Sequence, residues 1–180
     1  MSAAPIVLIG PPGAGKTTIG RALARRLGAE FADTDELVEA GAGQTVAEIF
    51  TRQGEAAFRR WEGRVVLQAL ARARAGPGRW VVALGGGAPE APEAAEALRA
   101  GPALVVFLDV SPQLAARRVG LGAPRPLLAA APRKVWRELM ARRRPTYEAL
   151  AHFQLGVDGL DAAAAARLIA RRAAEEEREA

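Results

Sequence analysis

The chain has 180 residues, half hydrophobic and a quarter charged, which suits one globular domain and excludes a disordered segment. It has no cysteine, which excludes a disulfide framework, thiol catalysis and a cysteine-ligated metal site. The net charge of +5 is almost all arginine, with Lys16 and Lys134 the only lysines. Ile6-Val7-Leu8-Ile9 is an unbroken apolar run, the pattern of a parallel strand buried on both faces. Gly10-Pro11-Pro12-Gly13-Ala14-Gly15-Lys16-Thr17 follows and satisfies G-x-x-x-x-G-K-[ST]. Helical spacing then runs from Thr18 to Leu27, with Gly28 as the expected C-cap. Glu30 to Asp33 predicts a short strand. Thr34 is expected to cap a helix from Asp35 to Ala40, which Gly41 and Gly43 break.

Thr45 and Glu48 form a capping box that opens the next helix. Gly54 interrupts it, and a long amphipathic helix continues from Glu55 to about Arg74. Gly76-Pro77-Gly78 predicts a turn, and Trp80 to Leu84 a buried strand running into Gly85-Gly86-Gly87. A helix from Pro92 to Ala100, a strand from Ala103 to Asp109 and a helix opened by Ser111-Pro112 follow. Residues 120–131 show no period and several glycine or proline breaks, the pattern of a mobile loop of lid length. A helix from Pro132 to about Ala151, a short strand from Phe153 to Val157 and a final helix capped by Asp161 complete the chain. Apolar strands alternating with helices predict a single α/β domain over residues 1–180. Its three α/β/α layers surround a mostly parallel five-stranded sheet.

The glycine loop lies between a strand and a helix, where its backbone N–H groups can close around phosphate oxygens. Lys16 would then reach the β- and γ-phosphates, and the Thr17 hydroxyl would hold Mg²⁺. Asp33 and Asp35 stand at the C-terminal end of a strand, the edge where open α/β sheets bind ligands. One can serve the Mg²⁺ shell and the other can accept a proton from an attacking hydroxyl; a plain helix-capping role competes. Asp109 ends another apolar strand, although the helix start directly after it favours a structural turn. Of Arg59 and Arg60 on one helix, only one can face a given pocket. Three glycines let a ligand approach the backbone at residues 85–87. Arg125 in the lid-length loop can act as an arginine finger. The cluster Arg142-Arg143-Arg144-Pro145-Thr146-Tyr147 is compatible with a nucleic-acid patch, a solvated face or a carboxylate clamp. His152 is expected to be non-catalytic.

Together, Gly10 to Thr17, Asp33-Thr34-Asp35, Gly54-Glu55 with Phe58-Arg59, Gly85-Gly86-Gly87, Arg125-Pro126-Leu127-Leu128 and Arg143-x-Pro145-x-Tyr147 resemble the shikimate kinases. These are P-loop kinases related to nucleoside monophosphate kinases. The resemblance spans residues 5 to 150 and implies Mg-ATP-dependent phosphorylation of the 3-hydroxyl of shikimate, in aromatic amino acid (chorismate) biosynthesis. It implies ATP contacts from Gly13, Ala14, Gly15, Lys16, Thr17, Thr18, Arg118 and Arg125, with Arg118 stacking on adenine. It implies metal contacts from Thr17 and, through water, Asp33. Asp35 would bind shikimate hydroxyls and act as base, Arg59 and Arg143 would clamp the carboxylate, and Gly85, Gly86 and Gly87 would line the ring. Phe50 and Phe58 would be pocket walls. The implied substrate-binding region covers residues 33–62 and the lid residues 120–131.

Two departures stand out. Thr17 replaces a serine common in the family, and Asp158-Gly159-Leu160-Asp161 replaces an asparagine-proline type pair beside adenine, so no residue is assigned there. Competing readings are a gluconate or nucleoside monophosphate kinase, or a non-catalytic nucleotide-binding regulator on the same scaffold. The expected partners are ATP and shikimate, with no nucleic acid or membrane, for a cytoplasmic monomer. No signal-peptide pattern precedes the first strand, and no apolar run reaches the roughly 18 residues of a membrane span.

Overall fold

The computed structural model describes residues 4–120 and 132–179. Five strands, β1 (Ile6–Ile9), β2 (Glu30–Asp33), β3 (Trp80–Ala83), β4 (Leu104–Asp109) and β5 (Phe153–Gly156), form one sheet in the order β2-β3-β1-β4-β5. The sequence predicts a mostly parallel sheet; every pairing in it is parallel. Helices α1 (Lys16–Leu27), α2 (Thr34–Ala42), α3 (Val46–Gln53), α4 (Glu55–Ala75), α5 (Pro92–Arg99), α6 (Pro112–Gly120), α7 (Pro132–Leu150) and α8 (Ala162–Glu179) alternate with the strands. The apolar runs are strands because they are buried on both faces: every residue of β1 and β3 is buried. None of the described helices is long and apolar enough to cross a membrane.

The main core gathers around the sheet. A second, smaller cluster of Val38, Ile49, Phe58 and Val65 holds α2, α3 and α4 together, with Phe50 and Trp61 packed against it. The Phe50 and Phe58 rings lie 4.7 Å apart. A separate apolar centre lets this helical group hold its shape at the edge of the sheet core.

Local chemistry corrects three sequence expectations. Helix α1 starts at Lys16 rather than Thr18, because left-handed Gly15 (φ 87°) turns the chain straight into the helix. The cap of α2 is Asp33, not Thr34. Asp33 is still extended, and its Oδ1 accepts N–H bonds from Asp35 at 2.9 Å and Glu36 at 3.3 Å. Thr34 is instead fully buried, and its hydroxyl accepts the Gly85 N–H at 2.8 Å. Gly41 does not break α2, which runs on to Ala42 and stops at left-handed Gly43 (φ 64°). A Cβ on Gly41 would sit 3.3 Å from the Trp61 ring, so glycine serves packing there. The Thr45–Glu48 capping box forms as expected, and Asp161 Oδ1 accepts the Ala164 N–H at 2.6 Å.

Candidate active site

Strand order turns back on itself at β1, which has β3 on one side and β4 on the other. Ligands of open parallel sheets bind beyond the C-terminal strand ends at such a point. A cleft of about 440 Å³ opens there, lined by the glycine loop and the first turn of α1, by Asp33 and Asp35, and by Arg118, Leu160, Asp161 and Ala162. Lys16 Nζ donates to the Gly10 carbonyl at 2.8 Å and the Pro11 carbonyl at 3.1 Å, so it lies folded back over the loop it belongs to. The Thr17 hydroxyl donates to Asp33 Oδ2 at 2.6 Å. Asp33 therefore caps α2 with one oxygen and faces the phosphate loop with the other. Arg118 Nη1 donates to the Gly13 carbonyl at 3.1 Å, at the same cleft as Leu160 to Ala162. Trp136 Nε1, from α7, donates to the Pro12 carbonyl at 3.2 Å and ties that helix to the loop.

The second half of the site forms on Gly85-Gly86-Gly87, just after β3. Here the absence of side chains has a geometric purpose. A Cβ on Gly85 would lie 2.6 Å from Asp35 Oδ1 and 2.8 Å from Glu62 Oε1. A Cβ on Gly87 would come within 3.0 Å of both Arg59 Nη1 and Arg143 Nη2. Two carboxylates thus reach one end of the glycine segment and two guanidinium groups reach the other. Tyr147, fully buried on α7, donates its hydroxyl to the Gly86 carbonyl at 2.6 Å.

Charge compensation is tight. Arg59 Nη1 donates to Glu62 Oε2 at 2.6 Å, and Nη2 to Glu55 Oε1 at 3.2 Å. Glu62 is only 3% exposed. Burial pushes its carboxyl above the usual range, while Arg59 pulls it back and Asp35 adds to the rise. Burial likewise drives the Tyr147 phenol well above its ordinary value, so it stays a neutral donor. Arg143 is 3% exposed and donates Nε–H to Glu90 Oε2 at 2.6 Å.

The three consecutive arginines on α7 have three different fates. Arg142 is exposed, Arg143 turns into the site, and Arg144 makes a bidentate pair with Asp109 at 2.6 and 3.1 Å. Asp109 also accepts from Gln154 Nε2 at 3.0 Å, so it fastens α7 and β5 to β4. Its setting is the structural one. Of the adjacent pair on α4, Arg59 faces the glycines and Arg60 is exposed. His152 accepts the Val105 N–H through Nδ1 at 3.1 Å, in keeping with a non-catalytic histidine.

The structure brings Lys16, Thr17, Asp33 and Asp35 to one cleft, with Arg118 at its rim. It brings Arg59 and Arg143 to the glycines beside it. Arg125 and the expected lid over residues 121–131 lie outside the described residues. Sequence reasoning passed over Glu62 and Glu90, and left the stretch from Asp158 to Asp161 without an assigned contact, although Leu160, Asp161 and Ala162 line the cleft. Glu62 was legible as the residue three after Arg59 on one helix face; Glu90 carries no local signal.

The sequence profile of the family described as shikimate kinase matches residues 12–173. The chain belongs to the shikimate kinase family. It is 50% identical over 153 residues to the shikimate kinase of Salinispora arenicola, covering 85% of this chain and 87% of that one. To the shikimate kinase of Thermobifida fusca it is 49% identical over 172 residues, covering 95% and 96%. Among solved structures, the shikimate kinase from Acinetobacter baumannii in complex with shikimate superimposes with a TM-score of 0.88 at 32% identity. That superposition covers 97% of this chain and 94% of the other.

Proposed function

We infer that this protein is an ATP-dependent kinase that transfers the γ-phosphoryl group to the 3-hydroxyl of shikimate. The observation that carries this is the position of Asp35. It lines the cleft with Lys16 and Thr17 and also lies against Gly85, at the end of the segment that Arg59 and Arg143 reach. A carboxylate there stands between a phosphate site and a carboxylate clamp, which is where the acceptor hydroxyl of a ring acid must be.

The reaction breaks the bond from the γ-phosphorus to the bridging oxygen of ADP and forms one to the acceptor oxygen. The acceptor proton passes to Asp35. Positioning and charge neutralisation supply most of the rate in such transfers. The loop amides from Gly13 to Thr18 and Lys16 hold the phosphates. Lys16 must leave the Gly10 and Pro11 carbonyls to do so, and the phosphate oxygens are stronger acceptors. Arg59 and Arg143 hold the substrate carboxylate, and the flat glycine segment lets the ring lie against backbone. Phe50 and Phe58 support the wall that carries Arg59, whose guanidinium sits 5.4 Å from the Phe58 ring. Arg118, beside Leu160, Asp161 and Ala162, is placed for the adenine end of ATP. Arg125 is assigned to the transferring phosphate from the sequence alone.

The Thr17 hydroxyl and the Asp33 carboxylate fit Mg²⁺, a hard cation that takes one or two protein oxygens and completes its shell with phosphates and water. When bound, that ion would neutralise charge on the phosphates. A cytoplasmic monomer is part of this proposal; none of the described helices is long and apolar enough to cross a membrane.

The test measures ADP release from Mg-ATP by a coupled assay, with shikimate, gluconate or AMP as acceptor. Shikimate should stimulate release strongly, and the other two should not. Release no faster with shikimate than without it would overturn the acceptor assignment.

A further inference from the structure

Glu90 sits on a short 3₁₀ turn, Ala88–Glu90, that begins directly after the glycine segment. The turn is braced by the Ala88 N–H donating to the Gly85 carbonyl and the Glu90 N–H to the Gly87 carbonyl, both at 3.0 Å. Its carboxylate grips two neighbouring arginines of α7, each through Nε. Oε2 accepts from Arg143 at 2.6 Å and Oε1 from Arg142 at 3.0 Å. Burial alone would raise the Glu90 carboxyl, but the Arg143 and Arg142 guanidinium groups outweigh it and hold it below the usual range.

The consequence lies in which edge of Arg143 remains. A guanidinium presents five N–H donors in one plane. Glu90 occupies the Nε edge, and the two Nη nitrogens point to the glycines, with Nη1 at 3.4 Å from a Cβ on Gly86 and Nη2 within 3.0 Å of one on Gly87. A free arginine carries rotamer entropy that must be given up to bind a carboxylate. A side chain already fixed does not lose it on binding. We propose that Glu90 is a positioning residue for the substrate: it holds Arg143 from behind, so that the Nη edge meets the ring carboxylate preformed. One hexapeptide, Gly85 to Glu90, then provides both the surface for the ring and the aim of the clamp. The net charge of Glu90 with Arg142 and Arg143 is +1, the complement of one carboxylate. The inference rests on shikimate as acceptor.

Purified wild-type, Glu90→Ala, Glu90→Gln and Arg142→Ala proteins are compared by coupled ADP release, varying shikimate and ATP separately. Glu90→Ala should raise the KM for shikimate roughly tenfold, the effect of one charge-assisted hydrogen bond. Its kcat and its KM for ATP should stay within about twofold of wild type. Glu90→Gln keeps an acceptor at the same reach and should restore most of the loss, to roughly threefold; it carries the test if the alanine variant is insoluble. Arg142→Ala should change the shikimate KM less than twofold, because its guanidinium is exposed and contacts the other oxygen. A shikimate KM that is unchanged or lower in Glu90→Ala, or a matching rise in the ATP KM, would overturn the positioning role alone. Wild-type protein that does not turn over shikimate would instead remove the acceptor assignment and the inference with it.

Discussion

Replacing Gly87 by alanine separates the geometry of the clamp from the stability of the fold. Gly87 has φ −89° and ψ −14°, a conformation alanine adopts without strain. The backbone therefore gives no reason for glycine, and the reason must lie in front of it. A Cβ there would come within 3.0 Å of Arg59 Nη1 and Arg143 Nη2 at once. Ordinary contact begins near 3.4 Å, so each guanidinium must retreat by several tenths of an ångström to about 1 Å. Both are ends of long side chains, so they move and the fold does not. The retreat costs the equivalent of one charge-assisted hydrogen bond to the substrate carboxylate, about 1.5–3 kcal/mol. The KM for shikimate should rise about 10- to 100-fold, with the ATP KM within twofold and melting within a few degrees of wild type. The neighbouring glycines calibrate the result. In Gly86→Ala the Cβ meets Pro12 Cδ at 3.3 Å and Arg143 Nη1 at 3.4 Å, so its KM should rise no more than about threefold. In Gly85→Ala it meets Asp35 and Glu62 at 2.6 and 2.8 Å, so kcat should fall more than KM rises. Coupled ADP release across the three variants is the assay. A shikimate KM in Gly87→Ala within twofold of wild type would refute the placement of the carboxylate against this segment.

The two acidic residues after β2 should behave differently. Asp35→Asn should retain ATP binding and lose roughly 10²–10⁴-fold in kcat, as for removal of a general base. Asp33→Asn should shift the Mg²⁺ concentration needed for half-maximal rate and leave the melting temperature within a few degrees of wild type, because an asparagine Oδ1 still caps α2; an Asp35→Asn enzyme of full activity would exclude that residue from proton transfer. Glu90 also makes a pH prediction. Its folded carboxyl lies below the ordinary value of 4.5, so the stability it contributes is complete above that value and lost as the pH falls through the folded one. The urea midpoint gap between wild type and Glu90→Gln should hold at neutral pH and close on acidification below the ordinary value of 4.5; a gap independent of pH would show that charge is not its origin.

Much of this protein was legible in one dimension. Gly10 to Thr17 specify a phosphate loop because the motif's geometry is local: a strand, a turn that needs glycine and a helix start follow each other directly. The same holds for the Thr45–Glu48 box and the buried strands, whose hydrophobic runs report burial without any partner being known. Order along the chain also placed Asp33, Asp35 and Gly85 at strand ends, and strand ends are where parallel sheets bind ligands. What the sequence could not decide is which neighbours in the chain become neighbours in space. Arg142, Arg143 and Arg144 are alike on paper, and a helix sends them in three directions. Only the packing of α7 against the 3₁₀ turn and β4 leaves Arg142 in an exposed pair with Glu90, turns Arg143 to the glycine segment and pairs Arg144 with Asp109. Asp33 replaced Thr34 as the cap for a similar reason: the point where strand becomes helix shifted by one residue, and the Gly85 N–H after β3 met the threonine hydroxyl instead. Glu62 and Glu90 gained their roles from burial beside arginines and from a loop brought up by the sheet. The spacing to Arg59 hinted at the Glu62 pairing, but the burial of Glu62 and the whole role of Glu90 lie beyond the reach of local pattern, because the free energy of a buried charge depends on what the rest of the chain places within a few ångströms of it.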